Sequence, residues 1–326
     1  MDALGIDLAK LTFVVTLLTR AGASSYQQFP NTPAGFEQLQ RWLFSQGVTH
    51  VHACMEATNV YWEALAQFLH DQGHTVSVVN PARIKGFAQS QMQRNKTDKQ
   101  DSATIATFCA QTTPAPWTPP TDAQRKLRAL VRHREALIKT RIQQQNRRSD
   151  ATDADVCASL QLLLDTLTAE ITKVEQQIKA HLAQHPALRA NAQLLQTIVG
   201  FGLVTVQKLL AEFPDLEHYE SANAAAADAG LTPAHYESGT SVRRRPRLSK
   251  VGKAAVRAAL YWPAITAMTH CPVMKQFAAR LAGRGKAKGV IIGAVMRKLL
   301  HIAYGVLKHK TPYDPTKVLG PAAPST

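Results

Sequence analysis

Four prolines within seven positions, Pro114, Pro116, Pro119 and Pro120, divide this chain into two parts that cannot share a regular element. Each proline ring removes a backbone donor and fixes φ, so neither a helix nor a central strand runs through the stretch 112–120. Before it, short β-branched runs alternate with amphipathic ones. After it come long alanine- and leucine-bearing stretches in a chain with only 6% aromatic residues. The first part therefore reads as α/β and the second as mainly helical, and 326 residues are enough for both to hold a core.

Residues 4–7, 11–18 and 25–29 read as three strands of a meander, with a turn around Gly22. Thr32-Pro33 opens a helix carrying Phe36, Leu39, Trp42 and Leu43. A strand at 48–55, a helix at 60–70 and a strand at 75–79, closed by Asn80-Pro81, follow. Thr97 and Gln100 have the spacing of a capping box for a helix over 97–110. This is the element order of a ribonuclease H-like α/β fold with a mixed sheet. Beyond the prolines, Leu160, Leu164, Leu167, Ile171, Val174, Ile178 and Leu182 form a heptad-like seam, read as a coiled-coil helical hairpin with a role in self-association. Two apolar helices meeting at Gly200 and Gly202 resemble a helix-hairpin-helix, whose glycine turn offers amides to a phosphate, although a plain helical turn has the same pattern. The expected domains are 1–115, 116–188 and 189–326.

Charge points to the partner. The formal net charge is +15, and residues 238–310 hold sixteen Lys and Arg with no Asp or Glu. Soluble surfaces normally mix both signs, so a 73-residue stretch without a carboxylate predicts a polyanion, nucleic acid, as its partner. Within it Arg243, Arg244, Arg245 and Arg247 crowd four guanidinium groups into five positions, suited to bidentate phosphate contact. Arg284, Lys286 and Lys288 interleave with Gly283, Gly285 and Gly289 as a basic loop. The four cysteines have no metal-ligand spacing. No uninterrupted apolar run reaches about 18 residues, and no basic start leads into an apolar one, so a cytoplasmic protein with no membrane partner is expected.

Cleaving a phosphodiester with divalent metal requires several carboxylates. Asp7 follows Leu-Gly-Ile in the first strand, and Glu56 ends an apolar strand; an unpaired acid is costly in either setting. Asp98 and Asp101, three apart, share one face of a capped helix. Each has an ordinary alternative, Asp98 and Asp101 as partners of the helix dipole, Asp7 in a turn, Glu56 as a cap.

The chain resembles the DEDD, RuvC-like transposases of insertion sequences, described as bridge-RNA-guided serine recombinases. The resemblance is carried by Gly5-Ile6-Asp7-Leu8-Ala9-Lys10, by Glu56-Ala57-Thr58-Asn59-Val60-Tyr61-Trp62, and by Asn80-Pro81 ahead of Lys96-Thr97-Asp98-Lys99-Gln100-Asp101. Toward the C-terminus come Ala229-Gly230-Leu231-Thr232-Pro233, Tyr236-Glu237-Ser238-Gly239, and Leu248-Ser249-Lys250-Val251-Gly252-Lys253 leading to Arg257. Asn59 and Val256 depart from the usual glycine and leucine.

The resemblance implies that Asp7, Glu56, Asp98 and Asp101 bind Mg2+ and that Ser238 attacks DNA to leave a phosphoserine link. It also implies that Lys250 and Lys253, with the arginines, hold nucleic acid, and that a structured RNA specifies duplex DNA at the element ends and target. A homo-oligomer, dimer or tetramer, would act. Ser238-Gly239 is also an ordinary turn with Ser241 close by, and it is the resemblance that selects Ser238. Two rivals stand beside this reading: a nuclease or junction resolvase using only the four acids, and a non-catalytic nucleic-acid-binding protein.

Overall fold

The computed structural model describes residues 1–57, 60–92, 97–238 and 242–315, with backbone alone for 235–238 and 242–246. Thr58, Asn59, Lys96, Gly239 and Ser241 lie outside the described residues. The chain divides into two compact units, Met1–Pro119 and Pro120–Thr326.

The first unit opens with β1 (Asp2–Leu8), β2 (Thr12–Leu18) and β3 (Ser24–Pro30), then α1 (Pro33–Ser45), β4 (Val51–Glu56), α2 (Glu63–Asp71), β5 (Thr75–Val79), α3 (Pro81–Ser90) and α4 (Asp98–Thr112). One five-stranded sheet runs β3-β2-β1-β4-β5, with β1, β2 and β3 antiparallel and β1, β4 and β5 parallel. Alternation along the strands sends Leu4, Ile6, Phe13, Val15 and Met55 to one face, where Phe36, Leu39 and Leu43 of α1 and Leu65 and Leu69 of α2 cover them. The other face, with Ala3 and Cys54, packs under Ile84 of α3 and Ile105, Phe108 and Cys109 of α4. The unit is thus a sheet between two helical layers.

The helix starts follow local chemistry. Thr32 accepts from the Gly35 amide with Pro33 in the first helical position, and Thr97 Oγ1 accepts from the Gln100 amide at 3.2 Å. Asn80-Pro81, expected only to close β5, also opens α3: the Asn80 side chain accepts from the Ala82 amide at 2.9 Å. A capping box with both bonds made lies at Thr121 and Gln124.

The second unit is mainly helical: α5 (Asp122–Asp150), α6 (Ala154–Gln184), α7 (Pro186–Gln196), α8 (Leu203–Glu212), a 3-10 turn Leu216–His218, α9 (Ala222–Asp228), α10 (Ala254–His270), α11 (Pro272–Gly283) and α12 (Lys288–His309). Three residues join α5 to α6, so these two long helices fold back on one another as a hairpin. Val174, Ile178 and Leu182 of the seam are buried in the main core with α7 to α12, whereas Leu164 and Leu167 are half-buried. On α5, Arg132 grips Glu212 of α8 through two hydrogen bonds of 2.6 and 2.8 Å, Arg134 donates to Gln207, and Glu135 pairs with Lys208. α12 is apolar enough by length and composition to cross a membrane, but 67% of that span is buried inside the protein, as befits a central core helix.

One element of this mainly helical part is not a helix. Residues Pro233–Ser238 (β6) and Val242–Leu248 (β7) form a two-stranded antiparallel arm with a register shift between Ala234 and Tyr236. Val-Arg-Arg-Arg-Pro-Arg-Leu has no apolar alternation, and strand pairing, not pattern, defines it.

Candidate active site and nucleic-acid interface

Register fixes the relation of the first two acids. The last matched pair of β1 and β4 is Ile6 and Met55, so Asp7 and Glu56 lie one residue further along two adjacent parallel strands. Both are half-buried. Side chains alternate, and the face that Gly5 and Cys54 turn to α4 is therefore the face of Asp7 and Glu56 as well.

α4 lies tight against this face. A Cβ on Gly5 would fall 2.1 Å from both the Ala106 nitrogen and the Ser102 carbonyl oxygen. Ser102 Oγ and Thr16 Oγ1 are hydrogen-bonded at 2.8 Å in the same layer, and Thr16 pairs with Gly5. Further down, the Cys109 thiol donates to the His52 carbonyl at 3.3 Å, level with Ala3. The helix accordingly runs antiparallel to β1, and its first turn lies over the carboxyl end of the strand. Asp98 and Asp101, four residues before Ser102 and Ile105, continue the stripe that faces the sheet. A rise of about 1.5 Å per residue carries Asp98 roughly 6 Å beyond Ser102, about the two-residue step from Gly5 to Asp7. Asp101 is half-buried and Asp98 exposed.

All four acids thus lie on the α4 side of one sheet, at the carboxyl end of β1 and β4. Their donors are carboxylate oxygens, the set that a hard divalent cation takes. Among the described residues, no three His, Cys, Asp or Glu side chains are gathered closely enough to hold a metal ion as they stand.

In the second unit Ser238 ends β6, its Cα matched to Val242, and Glu237 and Tyr236 are matched to Arg243 and Arg244. The serine and the arginine run thus occupy the two strands of one arm. Arg247 and Lys250 are exposed. Arg284 caps α11, Lys288 starts α12, and these two and Lys286 are exposed. Lys253 behaves differently. Its ammonium lies 3.0 Å from Asp228 Oδ2 and 4.0 Å from the centre of the Phe213 ring.

The glycines divide too. A Cβ on Gly200 (φ +96°) would fall 2.6 Å from the Pro263 carbonyl, so close packing on α10 already accounts for glycine there. Gly202 is the N-cap of α8, without a side-chain cap bond, and the following Leu203 and Val204 are about half exposed at 51% and 49%.

Tyr219 and Asp228, which the sequence did not single out, flank Lys253, with Arg257 nearby. Tyr219 donates to Asp228 Oδ2 at 2.6 Å, and burial together with the Asp228 charge raises the phenol above its ordinary range. Arg257 Nη1 donates to the carbonyls of Ala229 and Gly252. A single Asp at a helix end and a single Tyr in a loop carry no pattern by which a sequence could reveal them.

Comparison with known proteins yields two family models. The DEDD transposase model of the IS110 type matches residues 4–153, and the transposase model of the IS116/IS110/IS902 family matches residues 192–279. The pilin gene-inverting protein of Moraxella lacunata is 35% identical over 316 residues, covering 95% of this chain and 97% of its own. Its counterpart in Moraxella bovis is 34% identical over the same shares. The transposase for insertion sequence element IS1328 of Yersinia enterocolitica is 25% identical over 72% of this chain and 75% of its own.

Proposed function

Because this chain belongs to the IS110-type DEDD transposases, DNA recombinases of insertion sequences, we propose that it cuts and rejoins duplex DNA through a Mg2+-dependent serine mechanism. The first unit is RuvC-like in this reading, with Asp7, Glu56, Asp98 and Asp101 as the metal ligands and Ser238 as the nucleophile. The observation that carries it is the common face and strand end at which β1, β4 and α4 set four carboxylates. When bound, Mg2+ would neutralise the phosphate and help activate the attacking oxygen. Ser238 Oγ forms the bond to phosphorus as the sugar oxygen leaves; the serine gives up one proton and the leaving hydroxyl gains one. One phosphodiester replaces another, so rejoining needs no nucleotide cofactor.

Arg243, Arg244, Arg245, Arg247 and Lys250, with Arg284, Lys286 and Lys288, would grip phosphates. Base reading is left to a structured guide RNA, as the resemblance implies, and the gene-inverting relatives favour rearrangement at defined sites. A homo-oligomer is favoured by exposed Ile142, Val156 and Leu162 on the α5–α6 hairpin, Leu162 at 71%.

The test uses purified, nuclease-treated protein on nicked DNA carrying the element ends, with Mg2+ or a chelator, with and without RNA transcribed beside the gene. The expected result is a denaturation-resistant protein–DNA adduct that requires Mg2+ and RNA, maps to Ser238, vanishes in Ser238→Ala and persists in Ser241→Ala. An adduct surviving loss of Ser238 overturns the nucleophile. Sequence-specific exchange without RNA overturns the guide.

A further inference from the structure

The arm that carries Ser238 leaves the helical core at Asp228 and returns at Lys253, and these two residues meet twice. The Lys253 amide donates to the Asp228 carbonyl at 2.9 Å, and its ammonium pairs with the Asp228 carboxylate at 3.0 Å. Tyr219 fixes the same carboxylate oxygen and receives a bond from Lys253 Nζ at 3.3 Å. The Phe213 ring, edge-on to Tyr219 at 5.1 Å, covers the cation. Two more rungs close the stem: the Ser249 amide to the Thr232 carbonyl at 2.9 Å and the Lys250 amide to the Gly230 carbonyl at 3.3 Å. Gly252, at φ +132°, lets the strands of the stem touch, since a Cβ there would fall 1.9 Å from the Asp228 oxygen.

A lysine whose ammonium is already paired with a carboxylate and stacked on a ring has little charge left to give a phosphate. We propose that Lys253 is a positioning residue: with Asp228 it staples the base of the β6–β7 arm and so sets where Ser238 is presented, without itself contacting nucleic acid. The catalytic part of this inference rests on Ser238 as the nucleophile; the staple itself does not.

The experiment compares full-length wild type with Lys253→Met, Lys253→Arg and Asp228→Asn, which removes a charge and keeps the shape. Three quantities are read: the salt dependence of binding to a random-sequence DNA duplex, hydrogen exchange of the Ser249, Lys250 and Lys253 amides, and the rate of adduct formation. Lys253→Met and Asp228→Asn should leave the salt slope unchanged, speed exchange at the stem, and slow the adduct roughly 100-fold, the cost of misplacing a reacting group by about 1 Å. Lys253→Arg should restore most of the rate, because the cation remains. A slope lowered by about one in Lys253→Met, with stem exchange unchanged, would make Lys253 a phosphate contact and overturn the proposal. If wild type forms no adduct, the nucleophile assignment fails, while slope and exchange still decide the staple.

Discussion

Gly5 and Ala106 touch with no room between them: a Cβ on Gly5 would sit 2.1 Å from the Ala106 nitrogen. The contact is backbone on backbone, so no side chain can swing away to relieve it. Gly5→Ala should therefore force α4 off the sheet and cost about 1–3 kcal/mol, the usual range for overpacking a core. Denaturant titration checks this; an unchanged midpoint would mean that the helix rides less closely than described. Because α4 carries Asp98 and Asp101, strand exchange should fall further than stability does.

Replacing either strand-end acid isolates the chemistry from the fold. Asp7→Ala and Glu56→Ala should abolish strand exchange while duplex affinity stays within about threefold of wild type, since the basic segment proposed to grip phosphates lies in the other unit. Recombination at the wild-type rate in either variant would remove that residue from the metal site.

The arginine run can be separated from base reading by salt. Charge reversal of Arg243, Arg244 and Arg245 together should weaken binding to all DNA sequences alike and reduce the magnitude of the salt slope by about three, one per lost phosphate contact. Filter binding across a salt series on two unrelated duplexes provides the measurement. A loss confined to one of them would show that these side chains read bases.

Stability should fall in mild acid. Buried His74 accepts from the Val51 amide at Nδ1 and meets Gln40 Oε1 through Nε2, so it is held neutral, and burial lowers its affinity for protons below the ordinary value of 6.5. His301 is lowered for the same first reason, and among the described residues its buried Nε2 has no partner. The unfolded chain then binds protons that the folded one refuses. The contribution is fully present above about pH 6.5 and is lost as pH drops toward the folded values. Melting temperature should therefore decline below pH 6.5, with a shallower decline in His74→Asn. A flat profile in wild type would contradict it.

How much of this was legible in the sequence depended on whether the signal was local. Thr32-Pro33 and Thr97 announced their helices because a cap acts within three residues. The apolar runs around Leu4, Val14 and Val51 announced the sheet because each side chain reports its own burial. Asp7 and Glu56 stood out as acids in such runs, and register then brought them to adjacent strand ends. What stayed hidden was non-local. α3 was missed because Asn80-Pro81 serves an ending and a beginning equally well. The β6–β7 arm was missed because five of the seven positions of β7 are arginine or proline, and its strands exist through each other. The meeting of Asp228 with Lys253 depends on 25 residues returning to their start, which no spacing rule anticipates.

The prolines with which the chain is divided also have a use at the edge of the sheet. The Trp117 amide donates to the Val76 carbonyl at 2.7 Å, and Ser77 Oγ lies 2.9 Å from the carbonyls of both Pro114 and Ala115. This ribbon therefore lies along β5, taking up hydrogen-bonding groups that a bare border strand would offer to any passing chain. Proline has no amide to pass the ladder on, so the ribbon is a poor template for a further strand. The β5 border of the sheet is thereby guarded against pairing with other copies of the chain.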